Sequence, residues 1–168
     1  MRMKKLLLLF LLLPLTAKAD YWVQKANVGG LNRADATGFS INGKGYMGTG
    51  YSGTYQSDWW EYDPATDSWT QKASYPGGGI VEAVSFAIGA YGYVVASPAS
   101  NDVYRYDPAS NTWTAMAPFP GGTRQAAVAF TINNKGYVCT GMGFGLDYND
   151  LWEYDPSTTS WAQKSSMP

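Results

Sequence analysis

Beyond residue 19, apolar and aromatic residues occur in short runs that are separated by polar turns. The clearest set comprises an apolar run at 37–41, a second run at 46–50, and aromatic runs at 59–62 and 69–72. Such runs, bounded by Gly, Asn and Asp-Pro, are typical of β-strands. The turn at 42–45 begins with Asn-Gly, a pair that favours a two-residue hairpin. The pattern therefore predicts four consecutive antiparallel strands.

This order of four predicted strands recurs twice more along the chain. The second set lies at 83–88, 91–96, 103–106 and 112–116, and the third at 127–132, 136–140, 151–154 and 160–164. A tryptophan marks each fourth strand, at Trp69, Trp113 and Trp161, and an earlier Trp22 predicts a lone fourth strand at 22–26. A repeat of about 45 residues is typical of units that bury their apolar faces only against their neighbours.

The predicted fold is all-β, with three four-stranded blades of a β-propeller and one orphan outer strand before them. The orphan strand takes 20–28, and the blades take 29–75, 76–119 and 120–168. Because closed propellers have roughly four to eight blades, the predicted ring is incomplete. We expect the chain to be the N-terminal part of a larger propeller. Self-association through the open blade edges is the alternative, since unpaired edges and apolar faces attract other chains.

The first 19 residues have the pattern of a signal peptide. Arg2, Lys4 and Lys5 precede an apolar run at 6–15, and Ala17-Lys-Ala19 supplies a small-residue cleavage site. The run is shorter than the roughly 20 residues of a spanning helix, although an uncleaved anchor is the alternative. We therefore expect a secreted, periplasmic or cell-surface protein with no membrane span after cleavage.

Charge and residue usage exclude several classes of function. Four of the 12 basic residues lie in the leader, so the remaining chain is dominated by its 13 acidic residues. This balance argues against nucleic acid and anionic membranes as partners. The chain has no histidine and a single cysteine, Cys139, so it lacks the commonest general base and metal ligand and any intrachain disulfide. We expect no cofactor and no metal.

The order of features within each unit resembles the kelch repeat. An apolar strand is followed by a second strand with Tyr46, Tyr93 or Tyr137, then by an aromatic-Asp-Pro segment and a tryptophan. The resemblance covers residues 20–168 and implies a kelch-type propeller; WD-type blades fit worse because the tryptophan follows Asp-Pro. Kelch units usually end the second strand with Gly-Gly, whereas the positions here are Thr49 and Gly50, Ala96 and Ser97, and Thr140 and Gly141. The second unit therefore lacks the glycine.

Candidate ligand-binding residues lie in two sets of loops that meet at one mouth of a propeller channel. The loops that lead into the first strands carry charges in corresponding places, and the loops between second and third strands carry aromatic groups. Flat rings beside charged groups suit a sugar or a peptide. The predicted ligand-binding residues are Arg33, Asp35, Glu82, Arg124, Tyr51, Tyr55, Phe144 and Tyr148. Alternatively, Arg33 and Arg124 hydrogen-bond the backbone of neighbouring blades.

Recurring residues are better interpreted as structural. Asp58, Asp102 and Asp150 hold one position in all three units, and we predict that they accept backbone N–H bonds in their loops. The aspartates before proline, Asp63, Asp107 and Asp155, are predicted turn residues. The tryptophans are predicted to pack between blades, and Cys139 is predicted to be buried.

These features favour an exported binding or scaffold module that recognises a protein or a glycan. The alternative is a carbohydrate-active kelch enzyme of the sialic-acid mutarotase or epimerase type, whose chemistry would need carboxylate and arginine groups such as Glu82, Arg33 and Arg124. Copper chemistry of the galactose-oxidase-like kelch proteins is excluded, because it requires histidine ligands. A purely structural surface protein is the third hypothesis.

Overall fold

A computed structural model describes residues 21–168, and within this range the regular elements are all β-strands. The predicted signal peptide at 1–19 lies outside the described residues. Blade 1 is an antiparallel sheet in chain order, formed by β1 (Thr37–Ile41), β2 (Lys44–Gly48), β3 (Trp59–Asp63) and β4 (Ser68–Lys72). Blade 2 repeats it with β5 (Val84–Ile88), β6 (Tyr91–Val95), β7 (Val103–Asp107) and β8 (Thr112–Met116).

Blade 3 has the same four strands and one addition. It contains β9 (Val128–Ile132), β10 (Lys135–Cys139), β13 (Leu151–Asp155) and β14 (Ser160–Lys164). A small hairpin, β11 (Met142–Gly143) and β12 (Leu146–Asp147), lies in the loop between its second and third main strands. The sequence pattern did not predict this hairpin. The all-β, multi-blade architecture is otherwise confirmed.

The first turn of blade 1 is the predicted two-residue hairpin, but the second strand begins earlier than predicted. Asn42 and Gly43 adopt φ values of 51° and 77°, which is the geometry of a two-residue type I′ hairpin. The second strand therefore begins at Lys44 and not at Tyr46, because Ile41 already pairs with Lys44.

The turns before each outer strand use the aspartates as predicted. Asp63 Oδ1 accepts a hydrogen bond of 2.9 Å from the backbone N–H of Ala65. Asp107 and Asp155 make the same 2.9 Å contact with the residues two positions on. These Asp-Pro turns are therefore structural, and they hold the third and fourth strands in register.

Aromatic side chains fill the interfaces between adjacent blades. The ring of Trp113 in blade 2 lies 5.1 Å from Trp59 and 4.8 Å from Tyr106. In blade 3, Trp161 lies 5.0 Å from Phe119 and 5.0 Å from Tyr154. The prediction that these tryptophans pack between blades is confirmed, and Cys139 is buried as predicted.

A phenylalanine and a glycine interlock at each of the two interfaces. The ring of Phe39 in blade 1 occupies the space that a side chain on Gly92 of blade 2 would need. Phe86 of blade 2 is placed in the same way against Gly136 of blade 3. Glycine is required at both positions, because any Cβ atom there would overlap the ring.

The segment at 22–26 does not form the predicted strand. It has no ladder partner in the described part of the chain, and a strand exists only beside a hydrogen-bonded neighbour. Its end is nevertheless fixed to blade 1: Ala26 N–H donates to Asp67 Oδ1 at 3.0 Å, and Trp69 Nε1 donates to the carbonyl of Ala26 at 2.8 Å. Ala73, just after β4, has the same two contacts with Asn111 and Trp113 of blade 2. The segment therefore lies where the outer strand of a preceding blade would end.

Blade 2 compensates for its missing glycine by a different loop. Thr49, Ala96 and Thr140 all take left-handed φ values of 46–61° after the second strand. Gly50 and Gly141 follow them with φ near 95°, a conformation that L-residues rarely adopt. In blade 2, Ser97 takes the place of this glycine. Its Oγ accepts hydrogen bonds from the backbone N–H groups of Ala99 and Ser100, which form a short turn.

Candidate functional site

The two sets of candidate loops lie together on one edge of the blades, which we call the top face. It consists of the leading loops, which precede each first strand, and the connecting loops, which join each second and third main strand. Ala34 and Tyr51 exchange backbone hydrogen bonds of 3.0 and 2.9 Å between the two loops of blade 1. Gln125 and Met142 do the same in blade 3, at 2.9 Å in each direction.

Three equivalent positions of the leading loops converge on one cavity. Asp35, Glu82 and Ala126 have left-handed φ values of 58°, 54° and 53°, and all three line a cavity of about 320 Å³. The backbone N–H of Glu82 donates to the carbonyl of Asp35 at 3.1 Å, which joins blades 1 and 2 at this rim. One carboxylate oxygen of Glu82, Oε2, is buried and has no hydrogen-bond partner within residues 21–168. Two carboxylates therefore remain available at the cavity.

Arg33 is held within its own blade. Its side chain is buried, and Nη2 donates to Asp58 Oδ2 at 2.6 Å while Nη1 donates to the carbonyl of Thr49 at 3.0 Å. Trp60 Nε1 donates to the same carboxylate at 2.7 Å. The Arg33 guanidinium, and after it the Trp60 indole, hold the pKa of Asp58 below its usual range.

Arg124 forms the same arrangement in blade 3. Its guanidinium donates to Asp150 at 2.7 and 2.9 Å and to the carbonyl of Thr140 at 2.8 Å. It lies between the rings of Phe119 and Tyr148, at 4.8 and 4.4 Å from their centroids. Burial acts to raise the pKa of Asp150, but the hydrogen bonds from Arg124 and Trp152 outweigh it and lower the pKa.

These contacts change the interpretation of the recurring charges. The side-chain partners of Arg33 and Arg124 lie in their own blades, where ion pairs join the leading and connecting loops. The alternative of bonds to neighbouring-blade backbone applies only to the backbone of Arg124, whose N–H donates to the carbonyl of Ser97 in blade 2 at 3.1 Å. The prediction that Asp58 and Asp150 chiefly accept backbone N–H groups is wrong, because arginine and tryptophan side chains are their main donors. Blade 2 has Ile80 where the others have arginine, so it has no such brace.

Exposed aromatic rings stand in the connecting loops. Tyr51 and Tyr55 of blade 1 are exposed and pack edge to face, with centroids 5.7 Å apart. Phe144 is 91% exposed at the tip of the β11–β12 hairpin, where it adopts a left-handed φ of 53° beside Gly145 at 78°. A bulky residue in this conformation is strained, so the hairpin holds Phe144 in solvent at a cost.

Adjacent cavities that share lining residues lie between the carboxylates and Phe144. The cavity of Asp35 and Glu82 shares Ala126 with a second cavity of about 300 Å³, which is also lined by Asp147 and Tyr148. The second shares Met142 with a third, of about 220 Å³, whose walls include Phe144 and Pro98. We call this series the top groove. Its open side chains are carboxylates, neutral polar groups such as Thr123 and Gln125, and apolar groups, since Arg124 at its edge is buried by its ion pair.

A second recurring cluster, which sequence reasoning missed, surrounds a third-strand glutamate. Glu153 accepts hydrogen bonds from Lys135 at 2.9 Å and from the Tyr137 hydroxyl at 2.7 Å, and Lys164 Nζ lies 3.1 Å away. The Lys135 ammonium, followed by Tyr137 and Lys164, lowers the pKa of Glu153 to about 2. The signal in the sequence is the return of Lys, Tyr, Glu and Lys at the same strand positions of blade 1.

Blade 1 repeats this cluster, and blade 2 replaces it. Burial acts to raise the pKa of Glu61, but hydrogen bonds from Lys44, Tyr46 and Lys72 lower it. In blade 2 the equivalent residue is Arg105, which lies 4.5 Å from the centroid of the Tyr91 ring. Blades 1 and 3 are therefore of one type and blade 2 of another.

No group of three or more acidic or cysteine side chains within 21–168 is placed to hold a metal ion. The same residues include no helix of sufficient length and apolar character to span a membrane.

Comparisons with known proteins agree with this architecture. A family described as "Kelch motif" matches residues 90–120, from the turn before β6 into the leading loop of blade 3. A solved structure described as "Structure of YjhT" superposes with a TM-score of 0.72 at 24% sequence identity, covering 82% of this chain. That alignment takes in 54% of the other protein, so the chain spans about half its length. No curated protein matches the sequence significantly. The chain therefore carries a kelch motif at residues 90–120 and shares the β-propeller blade fold of that solved structure.

Proposed function

We propose that the chain belongs to an exported kelch module that binds a protein or a glycan along the top groove. The observation that carries this proposal is Phe144, a strained and almost fully exposed ring beside a series of adjacent cavities. Strained residues that persist are concentrated at functional sites. Tyr51 and Tyr55 add two exposed rings on the same face.

The open charges of the groove indicate how a ligand would be oriented. Asp35, Glu82 and Asp147 are carboxylates, which accept hydrogen bonds from sugar hydroxyls or from basic side chains. Aromatic rings cover the apolar face of a sugar or the side chains of a peptide. Arg33 and Arg124, predicted as ligand-binding residues, support the proposal indirectly, because their ion pairs fix the loops that form the groove walls.

The enzyme alternative, of the sialic-acid mutarotase or epimerase type, has less support. It depended on arginine groups at the channel mouth, and both arginines are buried in ion pairs with aspartate. An acidic groove also repels an anionic sugar. Binding without chemistry is therefore the function that this geometry favours.

Ligand binding is tested with the purified chain on a glycan array and, separately, on an array of immobilised peptides. A ligand found on either array is then titrated against Phe144→Ser and Tyr55→Ser, which we expect to weaken binding about tenfold or more, as for a typical aromatic contact. Tyr91→Ser is the matched control, because Tyr91 follows the turn at the opposite edge of blade 2. Equal loss in all three variants, or unchanged binding by Phe144→Ser, would contradict the proposal.

Export is tested separately. We expect the protein to be found outside the cytoplasm with Asp20 as its first residue, which mass spectrometry of the purified protein measures directly. A retained leader would instead support the anchor alternative, and a cytoplasmic protein would remove export from the proposal.

A further inference from the structure

In the described part of the chain, the outer face of blade 3 carries an unpaired phenylalanine and the outer face of blade 1 an unpaired glycine. A phenylalanine and a glycine at these same strand positions interlock between adjacent blades. Phe130 in β9 is the counterpart of Phe39 and Phe86, yet it is 36% exposed, whereas Phe86 is 4% exposed. Gly45 in β2 is the counterpart of Gly92 and Gly136, yet the nearest atom to a side chain there would be Tyr62 Cβ, at 3.7 Å. Within residues 21–168, Phe130 thus has no glycine partner and Gly45 has no ring partner.

We propose that a second copy of this chain docks head to tail, so that Phe130 of each copy interlocks with Gly45 of the other. In this contact the phenylalanine and the glycine would have the same relative placement as at the two interfaces within the chain. Two copies supply two such contacts and six blades, a number within the range of closed propellers. Each copy aligns with about half of a solved structure of the same fold, so two copies match the size of one such protein.

The remaining side chains of the two faces also correspond. Val128 and Ile132 flank Phe130 on β9 and are 52% and 51% exposed, although Ile88, the counterpart of Ile132, is buried in blade 2. The receiving face of blade 1 presents Tyr62 and Trp69, which stack with centroids 5.0 Å apart. Their counterparts, Tyr106 and Trp113, receive the aromatic cluster of blade 1 at the internal interface.

The segment at 22–26 competes with β14 for one place in this assembly. Ala26 occupies the contacts on Asp67 and Trp69 that Ser165, the residue after β14, would make in a docked copy. Ala26 is held there by two exposed hydrogen bonds, each of which contributes little net stability. By contrast, β14 is paired along its whole length with β13. The segment at 22–26 is therefore the element that moves.

The oligomeric state of the purified chain, measured by sedimentation equilibrium, tests the proposal. We expect a dimer, and we expect Phe130→Asp and Gly45→Val each to raise its dissociation constant by about 30-fold or more, as for central contacts of an interface. Gly45→Val suits this purpose because, within the single chain, a Cβ at this position would approach only Tyr62 Cβ, at an ordinary contact distance of 3.7 Å, and the φ of Gly45 is not left-handed. Circular dichroism and urea unfolding of each variant, compared with the wild-type chain at a concentration at which it is monomeric, separate a lost contact from a lost fold.

Mixing the two variants identifies the partners of the contact. The Gly45→Val variant keeps Phe130, and the Phe130→Asp variant keeps Gly45. One intact Phe130–Gly45 contact can therefore form between the two variants in a mixture, so we expect a heterodimer although each variant alone is monomeric. A monomeric wild-type chain, dimers in both variants, polymers larger than a dimer, or no heterodimer on mixing would each overturn the proposal. A phenylalanine-to-phenylalanine contact would appear as a dimer that Gly45→Val leaves unchanged.

Discussion

Arg124 and Asp150 are joined by two hydrogen bonds, 2.7 Å to Oδ1 and 2.9 Å to Oδ2. The pair links the leading loop of blade 3 to the connecting loop that follows its hairpin. The same link occurs in blade 1 between Arg33 and Asp58. The top face is therefore fixed by buried ion pairs at the two blades that carry the exposed aromatic rings.

Replacing Arg124 by isoleucine, the residue that blade 2 has at this position, is expected to destabilise the protein by about 3 kcal/mol. The reason is that the partly buried carboxylate of Asp150 loses its cation and most of its hydrogen bonds. The change is measured as the shift of the urea unfolding midpoint. Adding Asp150→Asn to the variant should restore part of the loss, because the unpaired charge is then removed. Unchanged stability in Arg124→Ile would show that the pair does not brace the loops.

Acid is expected to weaken blade 3 through Glu153. Its pKa in the folded protein is lowered to about 2 from an ordinary value of 4.5, so its contribution to stability is complete above pH 4.5. The contribution is lost as the pH falls from there towards 2. Glu153→Gln should flatten the dependence of the urea midpoint on pH within this window. Lys135→Met should raise the pKa of Glu153, which a carbon-13 NMR titration of the carboxyl group detects; a pKa that stays near 2 would contradict the assignment to Lys135.

Gly136→Ala is expected to destabilise the chain by about 1–3 kcal/mol, the usual cost of overpacking. A Cβ atom at this position overlaps the buried ring of Phe86 in the neighbouring blade. The matched control is Gly45→Ala at the equivalent strand position, measured in the Phe130→Asp variant so that no second copy docks on this face. It should change stability by less than about 0.5 kcal/mol, because the nearest atom to the new Cβ is Tyr62 Cβ at an ordinary contact distance of 3.7 Å. Thermal unfolding measures both changes. Similar shifts of the unfolding temperature in the two variants would contradict the interlock.

In the monomeric Phe130→Asp variant, where no second copy displaces the segment at 22–26, Asp67→Ala is expected to release this segment without unfolding blade 1. The variant loses the hydrogen bond from Ala26 N–H, and loss of about 1 kcal/mol corresponds to about a fivefold rise in the open population. Trypsin cleavage after Lys25, followed by mass spectrometry, should accelerate by that factor. Thr159→Ala, at the equivalent left-handed turn position of blade 3, is the control and should leave the cleavage rate unchanged.

The blades could be predicted because each strand is short, apolar on one side and bounded by glycine, asparagine or Asp-Pro. The β11–β12 hairpin could not, because Met142–Gly143 and Leu146–Asp147 are too short for an alternating pattern and the intervening Phe144 and Gly145 do not form a standard turn pair. The segment at 22–26 carries a strand-like sequence, but strand formation depends on a neighbour that sequence pattern does not reveal.

The positions of the candidate residues were partly predictable. Register counting correctly grouped Asp35 with Glu82, because these residues hold equivalent places in the repeat. It could not show that Arg33 and Arg124 are buried, since burial depends on how two loops fold against each other. The sequence did contain a clue. In the two blades with the arginine, a tryptophan (Trp60 or Trp152) stands two residues after the aspartate. In blade 2 the arginine is replaced by Ile80 and the tryptophan by Tyr104.

Asp35, Glu82 and Ala126 share one backbone conformation, so each rim position accepts different side chains. Ala126 adopts the left-handed φ of the other two although its side chain is only a methyl group. The conformation thus belongs to the blade and not to the residue that occupies it. A new side chain at any of these positions leaves the loop conformation unchanged, so the binding specificity of the rim can change by substitution in one blade at a time.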